Sequence, residues 1–342
     1  MSIDEDEKRR GLIPSGKRGI EKRSSALISR GLELVKIIEK GKDIDLFPII
    51  VDGKYGYIDK GGGIVIRPKF DVAYSFSEGL ALIEVAGKYG FIDKEGKIVI
   101  APEFDLTRSF FEGLACVIVK GKYGFIDKMG KIIITPQFEQ SFRFSEGLAS
   151  VFIGDKWGFI DKTGKIVIKP KFDVAGQFSE GLVDIKIDNK WGFIDKTGKI
   201  VIKPKFDFAC WFSEGLASVG IGDKWGFIDK TGKIVIEPQF DVTECFSEGL
   251  AFIKIDNKFG FIDKTGKIVI EPQYDAIGRF SEGLVDVKID NKWGFIDKTG
   301  KIVIEPQFDD AEDFSQGLAL IIINGKLGYI NQHGKYIWNP TN

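Results

Sequence analysis

Histidine is almost missing from this 342-residue chain, which has one, His333. Cysteine is nearly as scarce: Cys116, Cys210 and Cys245 stand far apart. Together they leave too little material for a His/Cys metal centre or a Cys–His catalytic pair. An odd, widely spaced set of thiols is also no disulfide framework. Net charge is missing as well. The 49 Lys and Arg against 50 Asp and Glu leave about −1, which excludes a polyelectrolyte binder of nucleic acid. No run of apolar residues reaches the length of a transmembrane helix. The start, Met1-Ser2-Ile3-Asp4-Glu5-Asp6-Glu7, is acidic and polar. It lacks the basic start and apolar stretch of a secretory signal, so the expected compartment is the cytoplasm.

What the chain has is glycine (42), phenylalanine (29) and a period. The string Gly-Phe-Ile-Asp-Lys-Thr-Gly-Lys-Ile-Val-Ile begins at Gly158, Gly192, Gly226, Gly260 and Gly294, always 34 residues apart. Variants begin at Gly56, Gly90, Gly124 and Gly328. Eight uninterrupted 34-residue repeats run over residues 54–325, and a half repeat fills 326–342. A fixed period of this kind signals a repeat architecture.

Each unit reads as strands. Leu182-Val183-Asp184-Ile185-Lys186-Ile187 alternates apolar and polar, the pattern of a half-buried strand. Asp188-Asn189 tolerates positive φ and predicts a tight hairpin. Lys190 to Asp195 is a second strand, and Lys196-Thr197-Gly198 closes a second hairpin. Lys199 to Ile202 is a third strand, rich in β-branched residues, and Pro204 ends it by removing a ladder donor. Phe206 to Glu214 is a connector with room for a short fourth strand. Lone meanders are too small to bury an apolar face, so neighbouring sheets must supply the core. The unvarying columns Phe172/Phe206/Phe240, Phe178/Phe212/Phe246 and Leu182/Leu216/Leu250 are assigned to that packing.

The Lys-Trp-Gly-Phe-Ile-Asp core, the Ile-Val-Ile-x-Pro-x-Phe-Asp stretch and the Phe-Ser-Glu-Gly-Leu link resemble the WG repeat, also called the KWG repeat, of bacterial proteins. The resemblance covers residues 46–340. The Trp itself varies, being Tyr55, Tyr89, Tyr123, Phe259 and Leu327 in other units. The resemblance implies a β-repeat module with no assigned catalytic residues and a binding role.

The expected fold is an all-β repeat array of three- to four-stranded antiparallel meanders over residues 46–342. Two architectures fit, a β-propeller-like one and an open curved β-solenoid. Ser24-Ser25 predicts the N-cap of a capping helix that stops at Gly41, within a 24–45 segment of helix and linker. Residues 1–23 are expected to be a disordered polar tail.

Candidate chemistry is thin. His333 occupies a turn column that is Thr in five other units. The Asp161/Asp195/Asp229/Asp263/Asp297 column lacks the further acids of a calcium loop and is expected to bond its own turn. The Glu78/Glu112/Glu146/Glu180/Glu214/Glu248/Glu282 column repeats too regularly for a catalytic pair. No catalytic, cofactor or metal residue is assigned. The aromatic column Tyr55, Tyr89, Tyr123, Trp157, Trp191, Trp225, Phe259 and Trp293 has two readings. One is packing beside a glycine; the other is a stacking platform for carbohydrate or cell wall.

The four residues after each Phe-Asp pair vary most, and repeat folds carry ligand-reading residues in such connectors. Tyr74, Arg108, Phe142, Arg143, Trp211 and Arg279 stand there, and Tyr, Trp and Arg are enriched in binding hot spots. Drift on an exposed loop also yields variability, though with fewer aromatics. The expected function is a non-catalytic scaffold with a protein partner at the connector edge. Carbohydrate binding through the Trp/Tyr column is the alternative.

Overall fold

A computed structural model describes residues 45–340. The capping helix and the polar tail expected before them lie outside the described residues. Among the described residues every regular element is a strand, and no helix is long and apolar enough to cross a membrane.

The strands form antiparallel meanders in which each strand pairs with its neighbours in sequence. The chain divides into two compact parts. Residues 45–246 hold a three-stranded sheet, Phe47–Val51, Lys54–Ile58 and Ile64–Phe70, followed by five complete four-stranded sheets. Residues 247–340 hold the strands Leu250–Ile255, Lys258–Asp263 and Ile268–Tyr274, then two complete four-stranded sheets that start at Ala276–Ile277 and Asp310–Ala311. Small antiparallel meanders repeated in this way are blades, and the fold belongs to the β-propeller class rather than the solenoid.

One blade shows why the sequence folds so. Val174–Ala175 is a two-residue strand, followed by Leu182–Ile187, Lys190–Asp195 and the edge strand Ile200–Phe206. That strand runs through Pro204 instead of ending before it, because an edge strand tolerates a residue without an N–H. Asp188 and Asn189 turn the first hairpin at φ 49° and 63°, the type I′ geometry that matches strand twist. In the second turn, Asp195 Oδ1 accepts from the Thr197 N–H (2.9 Å), the Thr197 hydroxyl (2.6 Å) and the Lys199 N–H (3.1 Å). The Asp column is therefore a turn device, as its spacing predicts.

The glycine of each Lys-Trp-Gly has a different reason. Trp191 pairs with Phe206 and Phe193 with Ile202, so the edge strand carries extra residues opposite Gly192. That bulge pushes backbone into the space a side chain would need. A Cβ on Gly192 would lie 2.5 Å from Ile202 O and 2.6 Å from Pro204 N.

The core lies between neighbouring sheets. Phe193, Ile202 and Phe206 of one sheet pack with Ala209, Phe212, Ala217, Val219 and Ile228 of the next. Phe193 and Phe212 meet edge-on at 4.9 Å, and full burial of such a ring contributes roughly 1.5–3 kcal/mol. Within residues 247–340, Phe295, Ile304 and Phe308 pack likewise with Phe314, Ala319 and Ile321. The three columns assigned to inter-sheet packing are all buried.

Polar latches join the same neighbours. The Ser179 hydroxyl donates to Phe212 O at 2.7 Å, and Ser145, Ser213 and Ser281 repeat the bond one unit away. Asp173 holds Lys156 of its own sheet at 2.6 Å and accepts the Asp188 N–H of the next at 2.9 Å.

Candidate functional site

Connectors begin after the Asp, or Glu139, that follows each edge strand and end in a Ser-Glu-Gly-Leu turn, with Phe111 and Gln316 as single replacements. Their second column points inward: Ala73, Thr107, Ser141, Ala175 and Ala209 are buried. The third column is fixed by one more backbone bond to the long strand behind it. Arg108 N donates to Cys116 O, Phe142 N to Ser150 O and Cys210 N to Ser218 O, each at 3.0 Å. The variable residues thus ride on rigid backbone.

The six candidate side chains meet different fates. Tyr74 is exposed, and the buried Tyr57 hydroxyl holds its carbonyl at 2.7 Å. Arg143 is exposed and lies over the Phe111 ring at 3.8 Å, its Nε donating to Gln177 Oε1 at 3.0 Å. Phe111 stands where most other units have the latching Ser, so an aromatic–guanidinium stack marks the place of that latch. Arg108 is half-buried, its guanidinium 6.0 Å from the Phe142 ring. Phe142 itself is a correction to the surface reading: it is 8% exposed and packs on Trp157 at 5.4 Å, which makes it core. Trp211 is half-buried, and its carbonyl receives the Cys245 thiol at 3.3 Å. In residues 247–340, Arg279 is half-buried and its backbone N–H reaches Asp313 Oδ1 at 3.3 Å.

A second variable column escaped the sequence reading. It is the third position of the first long strand: Leu82, Cys116, Ser150, Asp184 and Ser218 in residues 45–246, all buried. It lies directly behind the third connector column and couples to it. A Cβ on Gly176 would collide with the Asp184 carboxylate, and one on Gly278 with that of Asp286. The two units that bury an Asp here are the two with Gly in the connector, a pairing visible once the repeats are aligned. Burial pushes the Cys116 thiol up to about 12, so it is chemically inert at neutral pH.

The Glu column is structural by a mechanism the sequence hides. Each of these Glu residues has φ near +50°, for example 53° at Glu146, beside a Gly in the same left-handed region. A branched or long side chain there is strained by about 1–2 kcal/mol. The carboxylate offsets this by reaching into the next unit. Glu146 accepts the Gly181 N–H at 3.1 Å and pairs with Lys196 at 2.9 Å. Glu78 does the same with Gly113 and Lys128, and Glu248 with Gly283 and Lys298. Partial burial alone would raise the Glu146 pKa, but the Lys196 and Gly181 hydrogen bonds outweigh it and hold it below the usual range. Among the described residues, no group of three or more His, Cys, Asp and Glu could hold a metal ion.

The aromatic column is mostly occupied. Trp157 and Trp191 are buried, at 4% and 6% exposure. Phe208 stacks on Trp225 at 5.7 Å, and Lys254 and Lys288 lie over Phe259 and Trp293. His333 sits exposed in its turn, its N–H on Asn331 Oδ1 at 3.0 Å.

The model of the WG containing repeat matches eight consecutive segments, from residues 55–89 through 293–326. The chain belongs to the WG-repeat family. No curated protein matches it. Among solved structures, a eukaryotic initiation factor superposes at TM-score 0.65 and 12% identity, covering 86% of this chain and 95% of that one. The dihydro-heme d1 dehydrogenase NirN is similar at TM-score 0.48 and 13% identity, over 89% of this chain and 74% of its own. Kluyveromyces lactis Hsv2p follows at TM-score 0.41 and 10% identity, over 64% and 89%. At such identities the first likeness speaks to the fold alone, and it agrees with the WG-repeat blades described above.

Proposed function

We propose that this WG-repeat protein is a non-catalytic binding scaffold, and that a protein partner docks on the connector face of residues 45–246. One observation carries the reading. Constant columns are consumed by the core, the turns and the latches, whereas the connectors set Tyr74, Arg143 and Trp211 on rigid backbone with surface to spare. Large aromatic and guanidinium groups held this way lose little entropy on binding, which suits hot spots. Arg108 extends this surface, and Arg279 offers a similar contact in residues 247–340. The carbohydrate reading is weaker because neighbouring side chains cover much of the aromatic column. The three cysteines are all free, which fits a reducing compartment such as the cytoplasm.

The test is Trp211→Ala. A partner recovered by affinity capture is titrated against both proteins. The variant is expected to keep its urea midpoint and to lose about 2 kcal/mol of binding, the scale of a hot spot. Unchanged affinity, or a loss of several kcal/mol in folding stability, would remove Trp211 from the interface.

A further inference from the structure

Most edge strands carry the motif Ile-Val-Ile, and from Ile98–Phe104 onward its first two side chains lie largely outside the core. Val167 and Val201 are 42% and 41% exposed, and Ile166 and Ile200 are similar. The next three residues differ between blades. They are Lys-Pro-Lys in Ile166–Phe172 and Ile200–Phe206 but Glu-Pro-Gln in Ile234–Phe240. Lys169, Lys171, Lys203 and Lys205 are all exposed.

The two lysine-bearing strands belong to adjacent sheets. The turn Asp195–Lys199 of the second sits on Ile168 of the first, with the Cβ direction of Gly198 3.0 Å from Ile168 Cγ2. That turn adds Lys199 to the surface. Its own acid, Asp195, is spent on the Thr197 and Lys199 N–H groups. Lysines that open the second strands, Lys156 and Lys190, are matched by Asp173 and Asp207. Among the described residues, the four edge lysines have no such carboxylate partner.

The fold does not require these lysines. A charge and a Pro on an edge strand discourage unwanted pairing, and Glu237-Pro238-Gln239 performs that task in the next blade. Arg67 and Lys69 recur at these positions on Ile64–Phe70, but only the two Lys-Pro-Lys edges are neighbours, and their concentration of charge calls for another reason. We infer that this edge is a docking surface for an anionic lipid bilayer. The ammonium groups meet headgroup phosphates, and the flanking Ile and Val side chains reach the acyl boundary. An acidic peptide would be served by the lysines alone. The exposed β-branched residues beside them favour a lipid surface.

The test is flotation of the full chain with phosphatidylcholine vesicles, with and without about 30 mol % phosphatidylserine. Wild-type protein is expected to float with the anionic vesicles only and to be released by high salt. The variant K169E/K171Q/K203E/K205Q writes into both strands the Ile-Val-Ile-Glu-Pro-Gln-Phe sequence that Ile234–Phe240 already folds with, so its structure should be kept. Each basic residue near such a surface is worth about fivefold in affinity, so the variant should lose at least about a hundredfold. Val167→Ser with Val201→Ser should weaken binding at unchanged charge. The inference is overturned if wild-type protein ignores anionic vesicles, if the charge variant binds them equally, or if soluble poly-glutamate displaces the vesicles completely at equal charge.

Discussion

Gly192→Val is expected to destabilise the protein by about 3 kcal/mol, at the upper end of overpacking costs. A flexible neighbour cannot relieve the clash. The atoms that a Cβ would meet are Ile202 O, Pro204 N and Pro204 Cα, at 2.5, 2.6 and 2.8 Å, all in backbone. Moving them would break the bulge that aligns Phe206 with Trp191 and Ile202 with Phe193, and both Phe206 and Ile202 are core. Urea unfolding of wild type and variant measures the difference. A variant within experimental error of wild type would show that the bulge yields and that the Lys-Trp-Gly glycine is not sterically demanded. Gly181→Ala makes a useful contrast. Its Cβ would meet nothing within 4 Å, but its φ is 85°. Only backbone strain of about 1–2 kcal/mol applies there.

Acid should unfold the protein steeply. Glu78, Glu146 and Glu248 are held below the ordinary 4.5 by lysine and glycine N–H donors that outweigh their partial burial. Asp173 and Asp207 are held below 3.8, first by Lys156 and Lys190 and then by turn N–H groups. The sign follows from proton binding. In this range the unfolded chain binds more protons than the native one, so stability rises with pH. Their contribution is complete above the unfolded values and is lost as pH falls through the lower, native ones. Unfolding free energy should therefore be flat from pH 7 to about 5 and fall increasingly below about 4.5. Glu78→Gln with Glu146→Gln should cost about 1 kcal/mol each at pH 7. The same variant should show a shallower acid loss, because two of the titrating latches are gone. An acid slope identical to that of wild type would mean that these carboxylates do not hold adjacent blades.

These two expectations rest on features of unequal legibility. The period, the Asp188-Asn189 hairpin, the Asp195 turn and the buried Phe columns are local patterns, and local chemistry sets them. The Glu146 latch is not local: its partners stand 35 and 50 residues ahead, at Gly181 and Lys196. Only two signs of it exist in the sequence, the improbable choice of Glu before Gly in a type I′ turn and the lysine that recurs in step with it. Phe142 failed for another reason. Its place in a variable connector points to the surface, yet Trp157 and Phe152 form an aromatic cluster that draws it in. The buried column of Asp184 was missed because alternation within one strand does not reveal which apolar-facing position differs between repeats. Its coupling to Gly176 appears only when units are compared in register.

A frame of constant columns stands apart from connectors whose residues vary from unit to unit. The most direct test is saturation substitution of one internal stretch, residues 182–215, with folded fraction as the readout. Gly192, Phe193, Gly198, Phe206 and Phe212 are expected to reject nearly every replacement. Phe208, 47% exposed although stacked on Trp225, and Trp211 should accept most polar ones, each at a cost of about 1 kcal/mol. Intolerance at Trp211 and Phe208 equal to that at Phe206 and Phe212 would contradict the division between frame and reading surface.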